Sequence, residues 1–154
     1  MKKMLLLLSA ATLALAAGCT PSAHLQTPPG FAALDGQHGY DYRITTAQGV
    51  VVGVRTEKNS LHAPADFWAQ AIDARMRQGG YVAESAKDVK AAAGLLGKQV
   101  RYSREGDDRR PYAYWLTVFA TNERVYVVEA GGDKEFFEPA VAAVEQAVAS
   151  LRVD

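Results

Sequence analysis

The chain has 154 residues, 49% of them hydrophobic and 22% charged, with 17 basic and 17 acidic side chains and a formal net charge of zero. That length allows one domain with a real core, and the balanced charge leaves no electrostatic footprint for nucleic acid or anionic lipid. The single cysteine, Cys19, excludes an internal disulfide or a cluster of thiolate metal ligands.

The N-terminus reads as a secretory signal. Lys2 and Lys3 head an apolar run, Met4 to Ala17, of 14 residues. As a helix it would measure about 21 Å, short of the ~30 Å hydrocarbon core that a retained span must cross. Small residues Ala16, Ala17 and Gly18 then lead to Cys19, an ending that resembles the lipobox of bacterial lipoproteins. The resemblance implies cleavage between Gly18 and Cys19 and acylation of the Cys19 thiol, the protein's link to the lipid bilayer. Two or more acyl chains anchor stably where one does not. Thr20 stands where an aspartate would resemble an inner-membrane retention signal, so the expected site is the outer membrane, facing the periplasm. Cleavage removes Lys2 and Lys3, leaving 15 basic against 17 acidic groups, a net charge near −2.

Three prolines between Thr20 and Gly30 suggest an extended tether. The domain boundaries expected are therefore 1–18 for the signal peptide, 19–30 for the lipidated cysteine and tether, and 31–154 for a single folded domain. Gly39 to Thr46 alternates, with Tyr40, Tyr42 and Ile44 on one side and Asp41, Arg43 and Thr45 on the other, a half-buried strand. Val50 to Thr56 follows as a strand apolar on both faces. Pro64 opens a helix in which Phe67, Trp68, Ala71, Ile72 and Met76 recur at helical spacing, and Gly79-Gly80 closes it. In 82–92 the capping-box pattern from Ser85 to Asp88 and the alanines after it favour helix locally.

Gly97 to Glu105, Pro111 to Thr121 and Arg124 to Ala130 read as an antiparallel meander joined by the turns at Gly106-Asp107-Asp108 and Asn122-Glu123. The second and third of these strands are apolar on both faces and need two covers. Gly131-Gly132 leads into a last helix with Pro139 in its first turn and an apolar seam of Val141, Val144, Val148 and Leu151. Two amphipathic helices and a sheet needing two covers define an α+β fold, a three-layer α/β/α sandwich with a mainly antiparallel sheet.

Three stretches carry a resemblance to a known family: Gly94-Leu95-Leu96-Gly97-Lys98; Tyr112 to Phe119; and Val125 to Ala130 with its glycine pair and the closing helix to Leu151. Together with the element order they resemble the PsbP-like family, which includes envelope lipoproteins of the DcrB and LpqN kind. The resemblance covers nearly all of 31–154. It implies that 82–92 is a strand, against its local propensity, and that the protein is a non-enzymatic binding or scaffolding module with no shared catalytic set.

The residues point the same way. There is no Gly-x-Ser-x-Gly elbow and no His-Glu-x-x-His; His24, His38 and His62 are scattered. Glu105, Asp107 and Asp108 lack the alternating spacing of a calcium loop, and Ala92 to Gln99 misses both the first glycine and the hydroxyl of a phosphate loop. No cofactor or metal is expected. Arg109, Arg110 and Tyr112 form the one cluster with contact-surface chemistry, since arginine and tyrosine give large, adaptable area. The expectation is an envelope lipoprotein that binds an envelope protein, with no role in nucleic-acid binding. The alternative is a small-ligand carrier or enzyme with a pocket between sheet and helix, favoured if His62, Tyr112 and Arg109 converge.

Overall fold

A computed structural model describes residues 23–154 apart from Gln37 and Asp107. The signal segment, Gly18, Cys19 and Asp107 thus lie outside the described residues. The elements are β1 (Ala23–His24), β2 (Ala32–Ala33), β3 (Tyr42–Thr45), β4 (Val51–Lys58), α1 (Ala65–Gln78), β5 (Val82–Lys90), β6 (Leu96–Glu105), β7 (Pro111–Ala120), β8 (Arg124–Asp133), α2 (Lys134–Ala149) and β9 (Arg152–Val153). Seven of the described strands form one sheet in the order β2-β3-β4-β8-β7-β6-β5, every neighbouring pair antiparallel. The meander expected from Gly97 onward sits in register, Val100 beside Leu116 and Leu116 beside Glu129.

Strand alternation divides the core in two. Ile44, Val52, Val54, Trp115, Phe119, Val128 and Ala130 point to one face, where Phe137, Val144, Ala147 and Val148 of α2 meet them. Val100, Tyr102, Leu116, Val118, Val125 and Val127 point to the other, under Ala69, Trp68, Ile72 and Met76 of α1. The three-layer sandwich follows. On the α2 face a polar chain runs through the packing. Thr117 accepts from Gln99, Gln99 accepts from Arg101, and Glu145 takes both Arg101 and Lys87. The Arg101 guanidinium lies 3.7 Å from the Trp115 ring centroid, a cation–π contact.

The strand expected over 82–92 is present as β5. Its helix-forming residues are overruled by pairing with β6 from Val82–Ser103 to Lys90–Leu96. As a sheet edge it is mostly exposed, and a bulge near Ser85 together with charges at Glu84, Lys87, Asp88 and Lys90 discourages further pairing.

Several expectations are corrected. The tether ends earlier than Gly30: β1 pairs with β9, Ala23 and Leu25 are buried, and Thr27 and Tyr42 share a hydrogen bond of 2.7 Å. The buried side chains cover Ile44, Val52 and Val54 beside α2, which repays the ordering of an otherwise polar segment. The strand expected to end at Ala130 runs on to Asp133, so Gly131-Gly132 lie within β8. A Cβ at Gly131 would stand 2.9 Å from the Tyr112 hydroxyl, and one at Gly132 3.2 Å from Val50, so both positions are thinned for close approach. With the strand prolonged, α2 starts at Lys134 and Pro139 falls inside it, where one intrahelical bond is forgone. In α1, Phe67 and Ala71 are exposed and Ala69 takes the buried position.

Tyr40 also departs from the expected alternation. Regular strand begins only at Tyr42, and the Tyr40 ring crosses to the opposite face, over Gly53, where a Cβ would meet it at 2.7 Å.

Candidate functional site

The two faces are covered unequally. On the α2 side, α2 packs on β7 and β8 while the β1–β9 ribbon reaches β4. On the other side α1 packs on β5, β6 and β7. Beyond it, over β3, β4 and β8, the face is finished by side chains. These are Tyr40 and Arg43 before and within β3, Arg55 on β4, Tyr114 on β7 and Glu129 on β8.

Glu129 organises them. Arg43, Gly53 and Glu129 are successive partners across β3, β4 and β8, so the carboxylate rises beside the space that Gly53 leaves for Tyr40. It accepts from Tyr114 Oη at 2.6 Å and Arg55 Nη2 at 3.3 Å on one oxygen, and from Tyr40 Oη at 2.9 Å on the other. Its side chain is only 15% exposed. Arg55 keeps its Nε buried without a hydrogen-bond partner among the described residues. Burial first, and then the Glu129 charge, push the Tyr114 and Tyr40 phenols above the ordinary tyrosine range. Both stay neutral donors at physiological pH. A carboxylate accepting three donors and phenols that resist ionisation make a polar platform.

The platform continues toward the β6–β7 turn. Tyr81, which follows α1, has its ring 5.4 Å from that of Tyr114, and the Arg104 guanidinium lies 5.4 Å from the Tyr81 ring. With Tyr112, Asp108 and Asp133 they line a concavity of about 500 Å³. Arg43 lies 5.1 Å over the Tyr40 ring on the far side.

The structure splits the expected Arg109, Arg110 and Tyr112 cluster. Tyr112 lines the concavity; Arg110 is engaged by Asp108 and by Asp133 at 2.8 Å. Arg109, at φ +63°, sits in a separate depression with Val82, Ser103 and Glu105. His62 does not join them. Its Nδ1 meets the Asn122 carbonyl at 2.8 Å, past the far end of β7 from Tyr112, a strand length of about 30 Å away. His24 lies in the ribbon, 5.8 Å from the Tyr42 ring and 4.0 Å from Asp154, and His38 lies in the loop beside Tyr40. Sequence reasoning missed Glu129, Tyr40, Tyr114 and Arg55. The available signal was a lone carboxylate in the apolar run Val125 to Ala130 opposite a tyrosine-rich strand.

A second concavity of about 460 Å³ lies between α1 and the β5 edge, lined by Asp66, Asp73, Arg77, Glu84 and Lys98 among others. Asp73 accepts from Tyr102 Oη at 2.9 Å and from Arg77 at 2.9 Å, and Lys98 bridges Asp66 and Asp88. Most of its charges are mutually satisfied.

Layer order, antiparallel register and unequal cover define the molecule as an α+β protein of the PsbP-like fold. LpqN of Mycobacterium tuberculosis, involved in cell envelope biogenesis, superposes with a TM-score of 0.71 at 10% identity, over 87% of this chain and 84% of that one. Cyanobacterial PsbP from Synechocystis gives 0.53 at 10% identity, over 94% and 98%. A Pseudomonas aeruginosa protein of unknown function gives 0.53 at 14% identity, over 87% and 84%. No family model matches the chain, and no curated protein matches it in sequence.

Proposed function

We propose that the protein is a non-enzymatic binding module of the cell envelope, held in the outer membrane through acylated Cys19, and that its partner protein docks on the platform around Glu129. The observation that carries this reading is the half-covered face. Half-buried Tyr40, Tyr114 and Arg55 are held by the Glu129 carboxylate on the part of the sheet that α1 leaves uncovered. Aromatic and arginine side chains of this kind dominate binding energy in protein interfaces, and preorganisation lowers the entropic cost of engaging them. The fold it shares with LpqN, a protein of cell envelope biogenesis, is in keeping with that setting.

The test is cross-linking in the native envelope, purification in detergent and mass spectrometry of what accompanies the protein. A partner that is retained by the native chain and lost in Tyr112→Ala and Arg104→Ala supports the reading. An unaccompanied protein in every preparation contradicts it. A second reading, a small-ligand carrier, draws on the groove between α1 and β5. It predicts a co-purifying small molecule, released by Asp73→Ala and unaffected by Tyr112→Ala.

A further inference from the structure

The placement of β1 determines how an anchored domain must sit. The described chain begins at Ala23, fully buried and paired with Val153. Leu25 is buried after it, the Gln26 N–H donates to Ser150 Oγ at 2.7 Å, and Thr27 is bonded to Tyr42. From Cys19 to Ala23 there are only four peptide links, a reach of at most about 14 Å. An anchor this short keeps the β1–β9 ribbon within about 14 Å of the acylated cysteine, the part of the domain next to the headgroups.

The ribbon belongs to the α2 face, since Ala23 and Leu25 pack with Ile44, Val52, Val54 and Leu151 in the same cluster as α2. Arg43, Gly53 and Glu129 stand on the opposite face of the same strands. We infer that the anchored protein rests on the bilayer by the side carrying β1 and β9, and that the sheet turns the Tyr40–Arg55–Tyr114–Glu129 platform away from the membrane. The occupant of the ribbon side is the lipid surface itself. On the ribbon the exposed charges are mixed, Arg152 against Asp154, with His24 4.0 Å from the latter, and α2 beside it exposes Glu135 and Glu138, so contact is imposed by the anchor and does not depend on anionic lipid. A partner reaching the platform then comes from the aqueous side. The inference rests on the anchor proposed above and adds a direction to it.

The two tryptophans report on opposite faces of the sheet. Trp115 faces α2, its ring 5.0 Å from Phe137, and Trp68 lies on α1 in the other cluster. Acylated protein is placed in phosphatidylethanolamine–phosphatidylglycerol vesicles carrying dansyl headgroups, and energy transfer is measured in Trp68→Phe and Trp115→Phe. With layers spaced about 10 Å apart, transfer from Trp115 is expected to exceed that from Trp68 by roughly twofold. Because Trp68 is bonded to Asn59 and its loss could disturb folding, hydrogen exchange of the unsubstituted protein is read in parallel. On transfer from detergent to vesicles, protection is expected at residues 24–27 and 152–153 and not at 104–114. Equal transfer, or protection of the platform instead, overturns the orientation while leaving the anchor standing. An intact mass without acyl groups on Cys19 overturns the anchor, and the orientation with it.

Discussion

Glu129 and Asn59 show how single polar residues decide local order in this molecule. Glu129 gathers Tyr40, Tyr114 and Arg55; in Glu129→Ala those donors lose a common, largely buried acceptor. Hydrogen bonds to charged groups contribute about 1.5–3 kcal/mol, so a loss near 3 kcal/mol is expected in urea unfolding, and Glu129→Gln should lose less because one acceptor oxygen remains. Asn59 is buried and spends its amide on the Ala63 and Thr121 carbonyls and its oxygen on Ala63 N–H and Trp68 Nε1. It ties the end of β4 to the start of α1 and the β7–β8 turn. Asn59→Asp would set a carboxylate against two carbonyls, so it should unfold at lower urea than Asn59→Ala. Arg109 offers the contrast. It is exposed at a left-handed φ of +63°, and Arg109→Gly is expected to stay within about 0.5 kcal/mol of the native chain.

Glu145 carries a pH signature. Hydrogen bonds from Lys87 and then Arg101 hold its carboxyl below the ordinary range. A group depressed on folding stabilises fully above its unfolded value, about 4.3 for glutamate, and that contribution fades as pH falls through the folded value. The urea midpoint should therefore drop below pH 4, and Glu145→Gln should flatten that drop while lowering stability at pH 7.

At the scale of elements, the best-read parts are those whose pattern is self-contained. The Tyr114–Ala120 and Val125–Val128 runs are apolar on both faces and had to be central strands. β5 was legible only through the family resemblance, because its partner β6, not its own residues, makes it extended. The glycine pair after Ala130 resembles a stop, yet its meaning lies in Tyr112 and Val50 crossing over it, neighbours far away in sequence. The segment after Ala23 is Pro-rich and polar, and nothing local announces that Ala23 and Leu25 fill the α2-side core. Truncation of a buried leucine costs about 2–5 kcal/mol, so Leu25→Ala is expected to destabilise by about 3 kcal/mol. A free tether residue would show no change. The platform was hidden for a related reason. Its tyrosines read as ordinary strand formers, and Glu129 becomes meaningful only once β3, β4, β7 and β8 are placed side by side.

For the whole molecule the governing feature is asymmetry. One face of the sheet is sealed by α2 and the β1–β9 ribbon; the other is sealed by α1 over only part of its width. Hydrophobic burial secures the sealed portions, while the remainder is stabilised by the charge-assisted network around Glu129. Among the described residues no helix is long and apolar enough to cross a membrane. The most direct measurement of the central claim is site-specific photocross-linking in the native envelope, with the probe at Tyr112 or Arg104 and, as reference, at Ala74 on the exposed side of α1. One and the same adduct is expected from Tyr112 and Arg104 and none from Ala74. An adduct from Ala74 alone, or none from either platform position, would contradict it.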